Sequence, residues 1–422
     1  MGLTQFAAKI KRYAAQNTFV LTTLQTVWAF LRSCLYRVYS LCFRIDPHLV
    51  VLESYYGMAY ACNPKALYEE MQRDARFSNY RFVWAFQKEG TPEERPNGVR
   101  TTIVTHNSHA YKKAMASAHY YIANSMAPNY IRFKKKQVYV QTWHGTPLKR
   151  LGCDITVDGN AVNTVSEIHN RYRERAARFD YMLSPSRFCT EKLDSAFALG
   201  EQNKSHIVLE TGYPRNDFLF RFTEADVAAI KQRLQLPNDK KLLLYAPTFR
   251  DNQTKGDVFT YQCPLDFRSL CETLGEDWII LFRAHYLIAN QFDFSAHRGR
   301  VVDVSGIDDI NELYVISDGL LTDYSSVFFD FANLKRPIMF YMYDLAEYRD
   351  SIRNFYISLD ELPGLITETQ EELEKNIGSV MNHFEYTENY RRFNERFNYL
   401  DDAYSAHRAL SIIFSEKERS CD

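Results

Sequence analysis

Residues 137–149 read Gln-Val-Tyr-Val-Gln-Thr-Trp-His-Gly-Thr-Pro-Leu-Lys. The run from Gln137 to Thr142 is apolar and β-prone, and it delivers the chain straight into His144 and Gly145. Ligands bind at strand ends in open α/β sheets, and Gly145 lacks the side chain that would hold a substrate off the backbone. His144 is therefore placed for chemistry. Arg132, Lys134, Lys135 and Lys136 precede the strand, and Lys149 and Arg150 follow the turn. Charge on both sides of the histidine implies an anionic substrate.

Outward from this stretch, from about residue 48, short β-branched or aromatic runs alternate with longer helical segments, the pattern of parallel sheets covered by helices. Strands are predicted over residues 48–54, 80–86, 101–106, 119–124, 137–143, 181–186 and 207–213 in the first half. In the second half they are predicted over 241–248, 277–285, 300–305, 318–325 and 337–342. A polar helix followed by Pro237-Asn238-Asp239 marks a boundary between Pro214 and Leu236. A chain of 422 residues suits two domains of similar size. The simplest architecture is α/β, two Rossmann-like domains facing across a cleft, divided as 1–46, 47–222, 223–400 and a helical tail, 401–422.

The bulk composition, 46% hydrophobic and 24% charged with a net charge of −1, is that of a folded protein without the basic field of a nucleic-acid binder. Charge is uneven, however. Residues 1–45 carry Lys9, Lys11, Arg12, Arg32, Arg37 and Arg44 and no acid. The uncharged stretch Gln16–Leu31 is shorter than the roughly 20 apolar residues a bilayer span needs. With the aromatic-rich continuation to Phe43 it reads as an amphipathic helix lying on an anionic membrane surface. The alternative is a helix packed on the body of the protein or on a second subunit. No signal-peptide cleavage site follows the apolar run. The eight cysteines form no Cys-x-x-Cys pair and no Cys/His cluster, so they read as reduced cytoplasmic thiols and no metal site is expected.

Polar residues stand at the ends of successive second-half strands: Thr248 and Arg250, then Arg283 and His285, then Asp323, Ser325 and Ser326. Strand ends of a parallel sheet share one edge, so these residues converge. Ser325 and Ser326, between a strand and a helix start, offer hydroxyls and backbone N–H groups to a phosphate, or simply cap the helix. Arg283 and His285 would be further donors to the same anion. Asp308, Asp309 and Glu312 open a helix, where dipole complementation accounts for them better than a metal cage does. No dinucleotide fingerprint and no P-loop occurs, which counts against hydride transfer and P-loop phosphoryl transfer.

Taken together, QTWHGTPLKRLG (141–152), GYPRND (212–217), YAPTFRD (245–251), RAH (283–285) and DINELYVISDGLLTDYSSVFFDFANLKRPIMFY (309–341) resemble the CDP-glycerol glycerophosphotransferase family, which makes teichoic-acid and related capsule polymers. The resemblance runs from residue 48 to about 400. It implies a GT-B fold with an acceptor domain first and a CDP-donor domain second, and peripheral attachment to the cytoplasmic face of the membrane through the N-terminal segment. It also implies transfer of a polyol phosphate from CDP-glycerol or CDP-ribitol to a hydroxyl of a lipid-linked polyanionic acceptor, releasing CMP with no metal or other cofactor. In one place the pattern departs: Arg353-Asn354-Phe355-Tyr356 stands where Arg-Gly-Phe-Tyr is expected, and asparagine also tolerates positive φ.

On this reading His144 is the general base, since a hydroxyl nucleophile needs one and histidine titrates near neutrality. His285 joins it as a catalytic residue. Arg283, Ser325, Ser326, Thr248 and Arg250 bind the donor phosphates; Asp309, Glu312 and Asp323 contact the nucleotide; Gly145, Lys149, Arg132, Lys134, Lys135 and Lys136 receive the acceptor. Each has a plainer alternative: a structural histidine, a loop arginine paired with Asp251, a solvated basic face. Two rival functions remain open, another GT-B enzyme (glycosyltransferase or nucleotide-sugar epimerase) and a membrane-associated scaffold without catalysis. A homo-oligomer is compatible with all of them.

Overall fold

Every predicted strand forms, and together they make two sheets that are parallel throughout. The computed structural model describes residues 18–88, 95–156, 164–248, 254–255, 258–259, 263–284, 293–347 and 355–415. Helix α1 (Thr18–Leu41) leads into β1 (Asp46–Glu53) and α2 (Cys62–Arg73). There follow β2 (Arg81–Phe86), β3 (Thr101–Thr105), β4 (Ala118–Ala123), β5 (Val138–Gln141), α3 (Val165–Ala176), β6 (Tyr181–Ser184) and β7 (Val208–Glu210). The second half contains β8 (Lys241–Ala246), a small hairpin of β9 (Thr254–Lys255) and β10 (Val258–Phe259), β11 (Trp278–Phe282), β12 (Val301–Asp303), α4 (Ile310–Ile316), β13 (Gly319–Thr322), α5 (Val327–Phe331), β14 (Ile338–Tyr341), β15 (Leu365–Thr367) and α6 (Ser405–Ile413).

The first sheet runs β3-β2-β1-β4-β5-β6-β7 and the second β12-β11-β8-β13-β14-β15. Both orders start in the middle, wind outward, and reverse beside their first strand. Each sheet thus has a topological switch point, between β1 and β4 and between β8 and β13, where diverging connections leave a crevice at the carboxyl ends of the strands. The sequence expectation missed β15. Its three residues, set behind Pro363-Gly364, are too few to show a period.

Both faces of each sheet are apolar, as a helix-covered parallel sheet requires. Val51, Ala85, Tyr121 and Tyr139 pack on one side of the first sheet, while Val50, Leu52, Trp84, Ile122 and Val140 pack on the other. The second sheet divides in the same way, with Leu242, Leu244 and Leu320 opposite Leu243, Ile280 and Leu321. Helix α6 does not stay with the second sheet. Its Ala406, Ala409 and Leu410 complete the core beneath the first.

The connection between the halves is a 3-10 turn, Pro214–Asp217, whose four residues are all buried. Its polar groups are answered by the second half. The Asp217 carboxylate accepts from the N–H groups of Ser405 and Ala406, both at 2.9 Å, and so caps α6. Arg215 donates to both carboxylate oxygens of Asp330 at 2.9 and 2.7 Å. Asn216 bridges Asp330 and Asp401 at 3.0 and 2.6 Å. The two sheets are therefore bolted through this turn rather than strung on a free linker.

Helix α1 buries Ser33, Tyr36 and Ser40 and turns Trp28, Phe30, Leu31, Leu35, Val38 and Leu41 outward. No helix among the described residues is long and apolar enough to cross a membrane.

Candidate active site

His144 lies just beyond β5. Thr142 keeps the ladder, its N–H donating to Ala123 O at 2.8 Å, but Trp143 has φ of 52°. That left-handed turn at a bulky residue is held in place by its surroundings. Gln141 Oε1 accepts from the Trp143 N–H at 2.9 Å, and Asn63 Nδ2 donates to the carbonyls of Thr142 and Trp143 at 3.0 and 3.2 Å. The turn lifts His144 out of the sheet and into the cleft.

The histidine Nδ1 is 2.9 Å from Asn124 O. A carbonyl oxygen only accepts, so Nδ1 carries the proton and Nε2 is left with its lone pair. The residue is exposed toward the cleft, and the protein packed around the ring shields it from water on its other sides. Desolvation pushes its pKa down to about 4; the Asn124 hydrogen bond works against this and the Arg215 charge reinforces it. At neutral pH the imidazole is therefore an unprotonated acceptor with a defined tautomer.

Across the cleft stands Ser326. A Cβ built on Gly145 would lie 2.9 Å from Ser326 Oγ and 3.6 Å from its Cβ. The glycine thus marks the place where the first half touches the second. Ser326 begins α5 in the αR region, and its hydroxyl makes no capping bond, so plain N-capping does not account for it. Ser325 and Ser326 are both half-buried at the cleft. The α5 helix is only five residues long, so its dipole is small. What these residues offer an anion is hydroxyl and N–H groups.

Arg283 ends β11. Its Nη1 donates to Ile307 O at 2.6 Å and Val304 O at 3.4 Å, and it makes no ion pair among the described residues. Burial pushes its pKa down, while the Tyr314 and Tyr55 phenols and the Asp309 and Asp308 carboxylates pull it up. It is a fixed cation at the strand-end edge. Asp323 works at the second switch point: one carboxylate oxygen accepts from Thr248 N at 2.8 Å and from Tyr324 N at 2.6 Å. Asp323 thereby stitches the loops after β8 and β13. The first switch point is built alike, with Tyr55 N donating to Asn124 Oδ1 at 2.7 Å and Tyr56 N to Ser125 Oγ at 2.9 Å.

His285 and Arg250 lie outside the described residues. Asp309 and Glu312 are engaged elsewhere. Asp309 pairs with Lys65 at 2.8 Å and accepts from Asn311 N at the start of α4, and Glu312 pairs with Arg233. These pairs line a cavity of about 410 Å³ beside the interdomain turn. Lys149 forms a bridge with Phe355, and Tyr356 N donates to Leu148 O at 2.8 Å, so the segment after His144 ties the two halves together.

The basic cluster sits apart from the histidine. Arg132, Lys134, Lys135 and Lys136 precede β5 whereas His144 follows it, so the strand separates them by about 20 Å at its usual rise. Adjacency in sequence placed them together; an extended strand places them at opposite edges of the sheet. Lys134 is also spent, donating to Phe43 O at 2.6 Å and Ala116 O at 2.7 Å.

Sequence reasoning gave no role to Arg215, Asn63, Asn124, Tyr55 or Asp330. Arg215 was visible inside Gly-Tyr-Pro-Arg-Asn-Asp, but nothing local signals that its charge is buried beside His144. Among the described residues no group of three or more His, Cys, Asp or Glu side chains is arranged to hold a metal ion.

Residues 35–415 match the family described as CDP-glycerol:poly(glycerophosphate) glycerophosphotransferase. The teichoic acid poly(glycerol phosphate) polymerase of Bacillus subtilis is 39% identical over 371 residues, 86% of this chain but 48% of that protein; the chain thus spans about half the length of this relative. A polymerase of the same description from Bacillus spizizenii is 36% identical over 392 residues, covering 90% of this chain and 97% of its own. The solved structure of the wall teichoic acid polymerase TagF soaked with CDPG superposes with a TM-score of 0.82 at 34% identity, over 93% of this chain and 96% of that one. With the strand-end histidine and the serine pair arranged as they are, this chain belongs to the CDP-glycerol:poly(glycerophosphate) glycerophosphotransferase family.

Proposed function

We propose that this chain transfers a polyol phosphate from a CDP-linked donor to a hydroxyl of an anionic acceptor, releasing CMP. The observation that carries the reading is the meeting of His144-Gly145 with Ser326 across the cleft. A base with a free lone pair on one wall and anion-binding hydroxyls on the other suit one reaction coordinate. The acceptor oxygen attacks the phosphorus that bears the polyol, its proton passes to His144 Nε2, and the bond from that phosphorus to the CMP oxygen breaks with its electron pair leaving on CMP. Arg283, Ser325 and Ser326, with Thr248 tied to Asp323, would bind the pyrophosphate and the charge that develops on the transferred group. His285 and Arg250 are assigned to the same wall on resemblance alone. Glycerol is the favoured polyol, because the Bacillus spizizenii relative that matches over nearly its whole length is named for glycerol phosphate; CDP-ribitol is the competing donor.

The arrangement proposed is that of a GT-B transferase, two Rossmann-type units with switch points facing each other. Attachment to the membrane would be peripheral, through the outward apolar face of α1 with Arg37 at headgroup level. Incubating the protein with CDP-glycerol and a lipid-linked acceptor, and following CMP release and product length, tests the assignment. Release of UDP from a UDP-sugar with no reaction of CDP-glycerol would replace it with sugar transfer, and binding of CDP-glycerol without turnover on any acceptor would support a scaffold.

A further inference from the structure

A second cavity, of about 380 Å³, lies between α1 and the strand-end edge of the first sheet. Its size is within the range of small-molecule sites. Its floor is made by the loops that also hold the histidine. Tyr56 follows Tyr55, whose ring is 6.0 Å from that of His144, and Met126 follows the Asn124–Ser125 pair that accepts from His144 and Tyr56. Its walls carry Arg32 and Trp28 from α1 and Arg175 from the last turn of α3.

The charge of this cavity separates it from the one beside the interdomain turn. That one is balanced, with Lys65, Arg73, Arg215 and Arg233 facing Glu69, Asp226, Asp309 and Glu312. The second has two guanidinium groups and no carboxylate in its lining. Neither Arg32 nor Arg175 joins an ion pair among the described residues, and Arg175 Nε is buried without a hydrogen-bond partner. Arg32 stacks over the Tyr130 ring at 3.9 Å, which orients its fork. The buried Glu53 lies 3.5 Å from His106 of this lining. Desolvation raises its pKa to about 8, so at neutral pH it adds little negative charge.

We propose that this cavity holds a phosphodiester of the acceptor, with Arg32 and Arg175 as its phosphate ligands and Trp28 and Tyr130 packing against the polyol or lipid on either side. The inference rests on the transfer reading and supplies what the basic cluster before β5 does not, a cationic acceptor site on the same sheet edge as the base. Because α1 forms one wall and carries the apolar outer face, an acceptor anchored in a membrane enters past Trp28 and ends at His144.

The test compares wild type, Arg32→Gln/Arg175→Gln and Arg32→Lys/Arg175→Lys. Glutamine keeps helix propensity and length while removing the charge. Calorimetric titration with a soluble glycerol-phosphate oligomer should show at least tenfold weaker binding by the glutamine pair and an intermediate loss for the lysine pair. CDP-glycerol affinity should stay within twofold, and flotation with phosphatidylglycerol vesicles should be unchanged. Equal oligomer affinity in all three proteins overturns the site. So does a loss of vesicle binding with oligomer binding intact, because the arginines would then serve phospholipid headgroups. The oligomer titration does not depend on turnover, so absence of CMP release from the wild type would refute the transfer reading while the arginine site is judged by binding alone.

Discussion

Replacing Gly145 by alanine isolates the contact that brings the two halves of the cleft together. Gly145 has no positive φ, so alanine meets no backbone strain. The difficulty is local: the new methyl would stand 2.9 Å from Ser326 Oγ but 3.6 Å from Ser326 Cβ, an ordinary packing distance. The cheapest response is rotation of the serine hydroxyl to another rotamer, with the backbone unmoved. Stability should then change by no more than about 0.5 kcal/mol. Activity should change more, because the hydroxyl would no longer reach the donor phosphate. A hydrogen bond to a charged group contributes roughly 1.5–3 kcal/mol, and each 1.36 kcal/mol is about tenfold in rate. Gly145→Ala should therefore lower kcat/KM roughly 10- to 150-fold. Ser326→Ala removes the same hydroxyl directly and should cost about the same. The double variant should be no slower than either single one, a coupling of about 2 kcal/mol between two residues in different halves of the molecule. CMP release from CDP-glycerol in the four proteins, with thermal denaturation as the control on folding, measures all of this. Additive losses would refute the reasoning, since Gly145 would then matter for something other than room for that hydroxyl.

Three further outcomes are expected. His144→Gln should lower turnover by about 10²–10⁴ while CDP-glycerol binding persists; because the folded-state pKa is depressed to about 4, kcat/KM of the wild type should stay level from pH 8 down to about 5, and an acid limb centred at 6.5 or higher would count against His144 as the base. Glu53 has a folded-state pKa raised to about 8, so the stability it contributes when protonated is lost as pH rises through that value. Wild type should lose roughly 1 kcal/mol between pH 7 and 9 that Glu53→Gln does not lose, read as the difference in denaturant midpoints. Asp330→Asn leaves the buried Arg215 without its counter-charge and should cost about 3–5 kcal/mol; a loss below 1 kcal/mol in chemical denaturation would mean that the interdomain turn is held by Asn216 and Asp217 instead.

The sheets were legible in the sequence because their strands are buried on both faces. Val50-Val51-Leu52 and Leu242-Leu243-Leu244 are continuous apolar runs, and polar residues fall where the strands stop. Ser326 and His144 were legible for the same reason, as polar residues at strand ends. What could not be read was anything set by the path of the chain between strands. The basic residues before β5 stand within about a dozen positions of His144, yet the strand carries them to the far edge. Arg215 lies over a hundred residues from Asp330 and pairs with it inside the protein.

The two switch points explain why the legible residues meet. Each sheet reverses beside its first strand, and at each reversal a side chain binds backbone N–H groups across the gap: Asn124 and Ser125 hold Tyr55 and Tyr56 in the first sheet, and Asp323 holds Thr248 in the second. These bonds spend polar side chains on positioning, which leaves the neighbouring His144 Nε2 and Ser326 hydroxyl unspent. Asn124 does both jobs at once. Its side-chain oxygen fixes the β1 loop while its backbone oxygen sets the histidine tautomer. A site assembled in this way depends on the relative placement of two rigid sheets, and that placement is set by the buried turn at Pro214–Asp217 and by the return of α6 to the first core. The proposed base and the proposed phosphate-binding hydroxyls therefore belong to different halves, and on that reading neither half alone contains the reaction.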